Sequence, residues 1–423
     1  MSSRSLGALQ VAVLLVSASY GIGFLFGSGE MALSHGMGGA LYGIATAVGM
    51  LILAFFARRL WARGLPIWDL FGERFGAPVQ RAVALLSLVW MAGVLAAQIH
   101  GGAAVVRLLG LPSPWDHLLV LAFIYIASQL ALGFASRLFG ACLLASAAVL
   151  GWALFVSGGF DVYRDAVPAL ARDLSSFDPI QVVTTTLAVT VLVCLGADYH
   201  QFVIGARRPA SAVLGCSLAG LALLLVACLP PAVVVAMQRT GALEGLADAK
   251  QVMPFLLARV AASVGPGAYT VMLATLGLAA LGSAAAIVRA MTAALAAVAP
   301  RALPSPHRLL PVVALAIGAL LAARGQGIID TMVSVNVVYI ASVAVPFVAL
   351  LGRRGIPASC VPLAMLAGFV AASVAYLAGW WGWIDARIDA VSLFSGLAAS
   401  LLATVGAMIR DRRRLPIVAA PNA

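Results

Sequence analysis

The chain has 423 residues, of which 63% are hydrophobic and only 10% charged. Soluble proteins carry about 25% charged residues, so the composition excludes a soluble globular domain and predicts an all-α, polytopic membrane protein. The net charge of +11 does not point to a nucleic-acid partner. Its basic residues, all Arg except Lys250, stand in short clusters between apolar runs, as topology signals do.

A membrane span needs about 20 apolar residues. Twelve such segments are predicted, at 8–33, 38–60, 82–109, 115–134, 137–158, 180–205, 210–237, 266–298, 309–324, 329–351, 358–379 and 388–409. The first begins like a signal peptide, but its apolar character runs on to Leu33, so it is expected to be retained. It carries Gly21, Gly23, Gly27 and Gly29 and then an acid, Glu30. Glycine costs a helix about 1 kcal/mol against alanine, and a carboxylate at the bilayer centre about 2.5–3.5 kcal/mol on insertion scales. A plain anchor would use leucine there. A helix that opens to offer its backbone to a ligand would use glycine.

Residues 61–81 interleave Trp61, Leu65, Ile67, Trp68, Leu70, Phe71 and Phe75 with charges, which predicts a short amphipathic helix at the interface. Span six (180–205) is also interrupted, by Gly196, Asp198, His200 and Gln201. Two broken spans five apart predict inverted five-helix repeats, at about 8–158 and 180–351, within a transporter core of 1–351. Residues 352–423 add two spans and a basic tail. Residues 239–265 form a longer connection with a helix expected around 250–262.

With both termini cytoplasmic, every inner connection holds Arg, including Arg58, Arg59, Arg137, Arg207, Arg208, Arg301, Arg353 and Arg354. Most acids, among them Asp116, Asp161, Asp165, Asp173 and Asp178, fall outside. A bacterial inner (cytoplasmic) membrane is the expected location. The five cysteines form no CxxC pair and read as core residues. No metal-ligand cluster, catalytic triad order or phosphate loop stands out, so no enzyme is predicted.

Five stretches, in order, are similar to the sodium:solute symporter family, within the amino acid–polyamine–organocation superfamily of LeuT-type fold. FLFGSGEMALSHGMGGALYGIATAVG at 24–49 resembles the family's Phe-x-Gly-x-Gly stretch. GLPIWDLFGERFG at 64–76 resembles its cytoplasmic Pro-x-x-Phe-x-x-x-Arg-Phe-Gly segment, and AAQIHGGAAVVRLLGLP at 96–112 its third core helix. HQFVIGARRPASA at 200–212 looks like the close of its sixth helix, and LGSAAAIVRA at 281–290 falls where it has a Ser-Thr-x-x-Ser cluster. The resemblance implies alternating-access transport of a small polar organic solute (an amino acid, amine or organic acid) coupled to sodium. Protons could take the ion's place. The alternatives are a sodium-independent exchanger or a solute sensor on the same scaffold.

It also implies sodium bound by backbone near Ala18 and Gly21 and by hydroxyls on the eighth span, of which only Ser283 remains. Arg289, about two helical turns on, then has two readings: it replaces the ion, or it snorkels to the headgroups. Ser19, Tyr20, Gly23, Glu30, Gln98, Asp198, Tyr199 and Asn336 are the expected solute contacts, with Ser17 and Ser334 as further lining. His100 and His200 read as packing or hydrogen-bonding residues.

Overall fold

In a bilayer the backbone must satisfy its own polar groups, and an apolar chain does this as helices. The computed structural model of the chain describes residues 4–246, 249–299, 306–322, 328–351, 357, 360–384 and 387–414, with backbone only at 250, 306–307, 328–335, 380 and 411–414. The side chain of the expected lining residue Ser334, and the expected inner arginines Arg301, Arg353 and Arg354, therefore lie outside what is described.

Each predicted segment carries a helix. Span one is α1a (Ala8–Ser19), a π turn (Gly23–Gly27) and α1b (Ser28–His35). Then follow α2 (Leu41–Arg63), α3 (Ala77–Leu108), α4 (Trp115–Gln129) and α5 (Leu132–Val156). Span six is α6a (Pro179–Leu195) and α6b (Ala197–Ile204), bent by 41° at Gly196. The remainder are α7 (Pro209–Arg239), α8 (Ala268–Val298), α9 (Pro306–Ala322), α10 (Ile328–Leu351), α11 (Cys360–Trp380) and α12 (Ile388–Arg414). Among the described residues, seven helical stretches are long and apolar enough to cross a membrane, and the bent α6 pair makes an eighth. The chain is an integral membrane protein. Spans one, four, nine and ten, with shorter apolar helices or a break, complete the predicted twelve.

Helix α3 packs against α8, α9 and α10, and α1a against α7 and α8. The pair α11 and α12 closes on itself and on α10. The short helix at 61–81 is present as Ile67–Phe75, with a correction. Its apolar face of Ile67, Trp68, Leu70 and Phe71 is buried against α3 rather than laid on headgroups, and Gln80 Nε2 donates to Asp69 Oδ1 at 2.6 Å. The expected helix after α7 is Val252–Ala262.

Both ends of the first span are tied down. At one end, Leu6 N–H donates to Gly205 O (3.1 Å) and Arg207 N–H to Leu6 O (2.9 Å). The Arg4 guanidinium lies 4.2 Å from the Trp61 ring centroid, and Trp61 Nε1 donates to Ala206 O at 2.6 Å. At the other end, His35 stacks on Phe177 (3.8 Å between centroids), and its Nδ1 lies 3.0 Å from Ser176 Oγ. Met37 N–H donates to Asp173 Oδ2 at 2.9 Å. The linker between α5 and α6a folds into the short helices Phe160–Arg164 and Ala166–Asp173 and closes over the end of α1b.

Candidate functional site

The centre of the molecule is the break in span one. After Ser19 the helical ladder stops. Gly21 N–H turns to Ser19 O (2.9 Å), and Ile22 N–H leaves the helix for Gln98 Oε1 of α3 (2.8 Å). The donors that would have closed on the Ser17 and Ala18 carbonyls are thereby used elsewhere. Gln98 Nε2 in turn donates to Ser283 Oγ of α8 at 3.4 Å. One neutral amide therefore joins three helices at the break. Gly21 sits in the angle of this clamp: a Cβ there would fall on Gln98 Nε2 and come within 2.8 Å of both Gln98 Oε1 and Ser283 Oγ. Gly21 O accepts Leu25 N–H (3.0 Å) and so starts the next helical piece. The Ser17 and Ala18 carbonyls are the ones left without a helical donor.

Ser17 also has a partner position across the interface. Its buried hydroxyl has no hydrogen bond among the described residues, and a Cβ on Gly282 of α8 would land on its Oγ. The glycine on α8 and the serine on α1a fit as a lock. Gly282→Ala is expected to cost about 1–3 kcal/mol by overpacking, and Ser17→Ala in the same chain to restore most of it. Melting temperatures of the two single variants and the double variant in detergent check this; additive losses would sink the pairing.

The second break, at Gly196, is built differently. His200 Nε2 lies 2.8 Å from Cys194 O, and Tyr339 of α10 donates its hydroxyl to Leu195 O (3.3 Å), so the last carbonyls of α6a are met. His200 also stacks on Phe347 (5.9 Å), as expected of a packing histidine. Gln201 Nε2 donates to Ala286 O of α8 at 3.0 Å. Asp198 is 1% exposed in the first turn of α6b, with Oδ1 unpartnered among the described residues. Ser19, at the end of α1a, donates its hydroxyl to Leu15 O (3.0 Å), and Tyr199 is buried beside Asp198 in α6b. Buried Asn336 of α10 leaves its Oδ1 without a partner one turn before Tyr339. Tyr42 and Tyr339, both within electrostatic reach of Asp198, were missed in the sequence. Their only signal there is their position on spans two and ten.

The other expected residues scatter. Gly23 opens the buried π turn. Tyr20 turns to α5, its hydroxyl 3.1 Å from Ser146 Oγ. Glu30 on α1b and His100 on α3 are half-buried. Arg289 has partners that the sequence did not show. Its Nε donates to Ser128 O (2.8 Å), and its Nη2 to Ala127 O and Leu130 O (2.9 Å each). The guanidinium caps the C-terminal end of α4, where, among the described residues, Ala127 O otherwise accepts only the Leu130 N–H at 3.4 Å. Beside the break, an apolar cavity of about 340 Å³ lies between α3, α4 and α8, with Ile22 and Gln98 at one end and Val106, Leu111 and Phe123 among its walls.

This arrangement has solved counterparts. The chain matches a Na+-coupled sialic acid symporter, in its substrate-bound outward-open state, with a TM-score of 0.73 at 13% identity, over 96% of this chain and 90% of that one. The fold is the LeuT type. The LeuT-type likeness extends to Mhp1, a nucleobase-cation-symport-1 family transporter closed on bromovinylhydantoin, at a TM-score of 0.64 and 17% identity over 99% and 95% of the two chains. It extends also to the manganese transporter of Eremococcus coleocola, at 0.57 and 14% over 96% and 95%. No protein-family model matches the sequence, and no curated protein matches it significantly. The likeness thus shows the LeuT-type scaffold and does not single out the sodium:solute symporters whose motifs the sequence resembles.

Proposed function

We propose that this protein is a secondary transporter that moves a small polar organic solute by alternating access. The observation that carries this reading is the pair of broken helices, with Ile22 N–H of the first leaving its helix for Gln98 Oε1 and the buried Asp198 Oδ1 of the second left without a partner among the described residues. Such breaks present backbone and side-chain groups at mid-membrane, where a solute gives up its water. In this reading the core is two repeats, at about 8–158 and 180–351, with α11 and α12 as additions. Both termini are cytoplasmic, so the Arg4–Trp61 contact closes the inner end of the path and the His35–Phe177 contact the outer end.

The residues at the first break fit sodium as the coupling ion. The Ser17 and Ala18 carbonyls lack their helical donors, Ser17 Oγ has no partner, and Ser283 Oγ stands opposite on α8. Sodium is a hard cation that takes several oxygen ligands, and these four would hold it. Bound there, it would supply a positive charge tying α1a to α8. In this chain Gln98 already ties the same helices with a neutral bridge, so protons remain the competing coupling.

Uptake into proteoliposomes tests the reading. Labelled amino acids, amines, sugars and organic acids are offered under an inward sodium gradient and then under a proton gradient. Accumulation that collapses with one gradient names the coupling. No accumulation of any solute under either gradient overturns transport.

A further inference from the structure

A groove of about 1260 Å³ runs between α3, α8, α9 and α11, away from both breaks. Its floor is one stripe of α3, Pro78, Ala82, Leu85 and Val89, and every residue that lines it is apolar. Leu85 and Val89 on the floor, and Phe369 on the α11 wall, are exposed within their spans, so the groove opens sideways to hydrocarbon. Water gains no partners in such a space. The volume also exceeds the roughly 300–1,000 Å³ of pockets that hold drug-sized solutes. In a bilayer the apolar body at hand to fill it is an acyl chain.

One end of the groove is charged. It begins at Phe75 and Pro78, on either side of the turn that joins the short helix Ile67–Phe75 to α3. The Arg74 guanidinium carbon lies 5.8 Å from the Phe75 ring centroid. Arg81 stands beside Ala82 and one turn before Leu85, so it continues the floor stripe to that end. Both arginines are exposed. The two acids of this segment are engaged elsewhere, Asp69 Oδ1 by Gln80 Nε2 at 2.6 Å and Glu73 Oε2 by Arg63 Nη1 at 3.2 Å. Arg74 and Arg81 have no ion pair among the described residues.

Two guanidinium groups at the mouth of an apolar groove match the two parts of one anionic lipid, its phosphate and its chain. A zwitterionic headgroup would bring its own cation to the arginines. A second copy of the chain, docked here about a two-fold axis, would bring its own Arg74 and Arg81 to the same level. We propose that the groove holds one anionic phospholipid, with its phosphate at Arg74 and Arg81 and an acyl chain along the α3 floor. The site is independent of the solute and of the transport reading. In the proposed topology the lipid belongs to the inner leaflet.

The test is native mass spectrometry of the purified full chain in detergent, titrated with dioleoyl phosphatidylglycerol. Dioleoyl phosphatidylcholine and glycerol 3-phosphate are the counterparts. Phosphatidylglycerol is expected to bind about fivefold or more tighter than phosphatidylcholine, and glycerol 3-phosphate at equal concentration is expected not to displace it. Arg74→Gln and Arg81→Gln are each expected to weaken phosphatidylglycerol about fivefold, and together tenfold or more. Arg137→Gln, at an exposed arginine of α5 that does not line the groove, is expected to change nothing, which separates the site from the general pull of a +11 chain. Ala82→Trp keeps the charges and fills the floor, and is expected to weaken phosphatidylglycerol severalfold at an unchanged melting temperature. Val89→Trp, at an exposed position, repeats that test should Ala82→Trp melt early. Equal binding of the two lipids, unchanged binding in the double arginine variant, an equal loss in Arg137→Gln, or unchanged binding in both tryptophan variants overturns the proposal. So does displacement by glycerol 3-phosphate, or a dimer that excludes the lipid and survives the double arginine variant.

Discussion

Gly21→Val is expected to abolish uptake and to lower the melting temperature clearly. A side chain at Gly21 has nowhere to go, because three side-chain atoms already fill its place: Gln98 Nε2, Gln98 Oε1 and Ser283 Oγ. Flexible tips elsewhere would swing aside cheaply, but Gln98 is held at both ends, by Ile22 N–H at 2.8 Å and by Ser283 Oγ at 3.4 Å. If Gln98 leaves, Ile22 N–H is orphaned in a buried break, at about 1–3 kcal/mol. If it stays, the junction is overpacked by a similar 1–3 kcal/mol. By either route the loss is about 1–3 kcal/mol, concentrated where the two halves of span one must pivot. Gln98→Ala in the Gly21→Ala background relieves the clash but leaves Ile22 N–H unmet, so it is expected to recover only part of the stability. Uptake within about twofold of wild type in Gly21→Val, a difference of under 0.5 kcal/mol, would show that the clamp does not govern the break.

The two breaks could be read from the sequence because glycine and acid in an apolar run are costly and local. Gly21, Gly196, Asp198 and the lengths of the apolar runs carried that signal without any partner being known. What fills the breaks was not legible, because it comes from far along the chain. Gln98 looked like pocket lining, and its tie to Ile22 N–H is made only when α3 is laid beside α1. The bare hydroxyl of Ser17 and the missing side chain of Gly282 are each unremarkable alone and complementary only in space. The sequence showed the shortage of hydroxyls on α8, and could not show that the Ser17 hydroxyl of α1a lies against Gly282 there. Nothing local in the sequence says that His35 will stack on Phe177 or that Asp173 will accept Met37 N–H.

Arg289 shows the same limit and gives the second large effect. The sequence placed the residue correctly within its span but could not supply its acceptors, three carbonyls at the corner between α4 and α5. A helix that ends inside a span leaves its last carbonyls without donors and without water. Arg289 supplies fixed N–H donors in a planar fork, and its charge faces the negative end of the α4 dipole. Arg289→Met keeps the apolar stem and removes every donor. It is expected to cost about 1–3 kcal/mol, the range for leaving buried polar groups without their partner, and to reduce the yield of folded protein. Arg289→Lys is expected to recover only part, since an ammonium is a compact point charge that cannot span three carbonyls as the fork does. The decisive comparison is melting temperature against ion dependence. As a helix cap, Arg289→Met lowers the melting temperature and leaves the ion dependence of residual uptake unchanged. An unchanged melting temperature with a newly acquired sodium requirement would return the guanidinium to the role of a fixed ion.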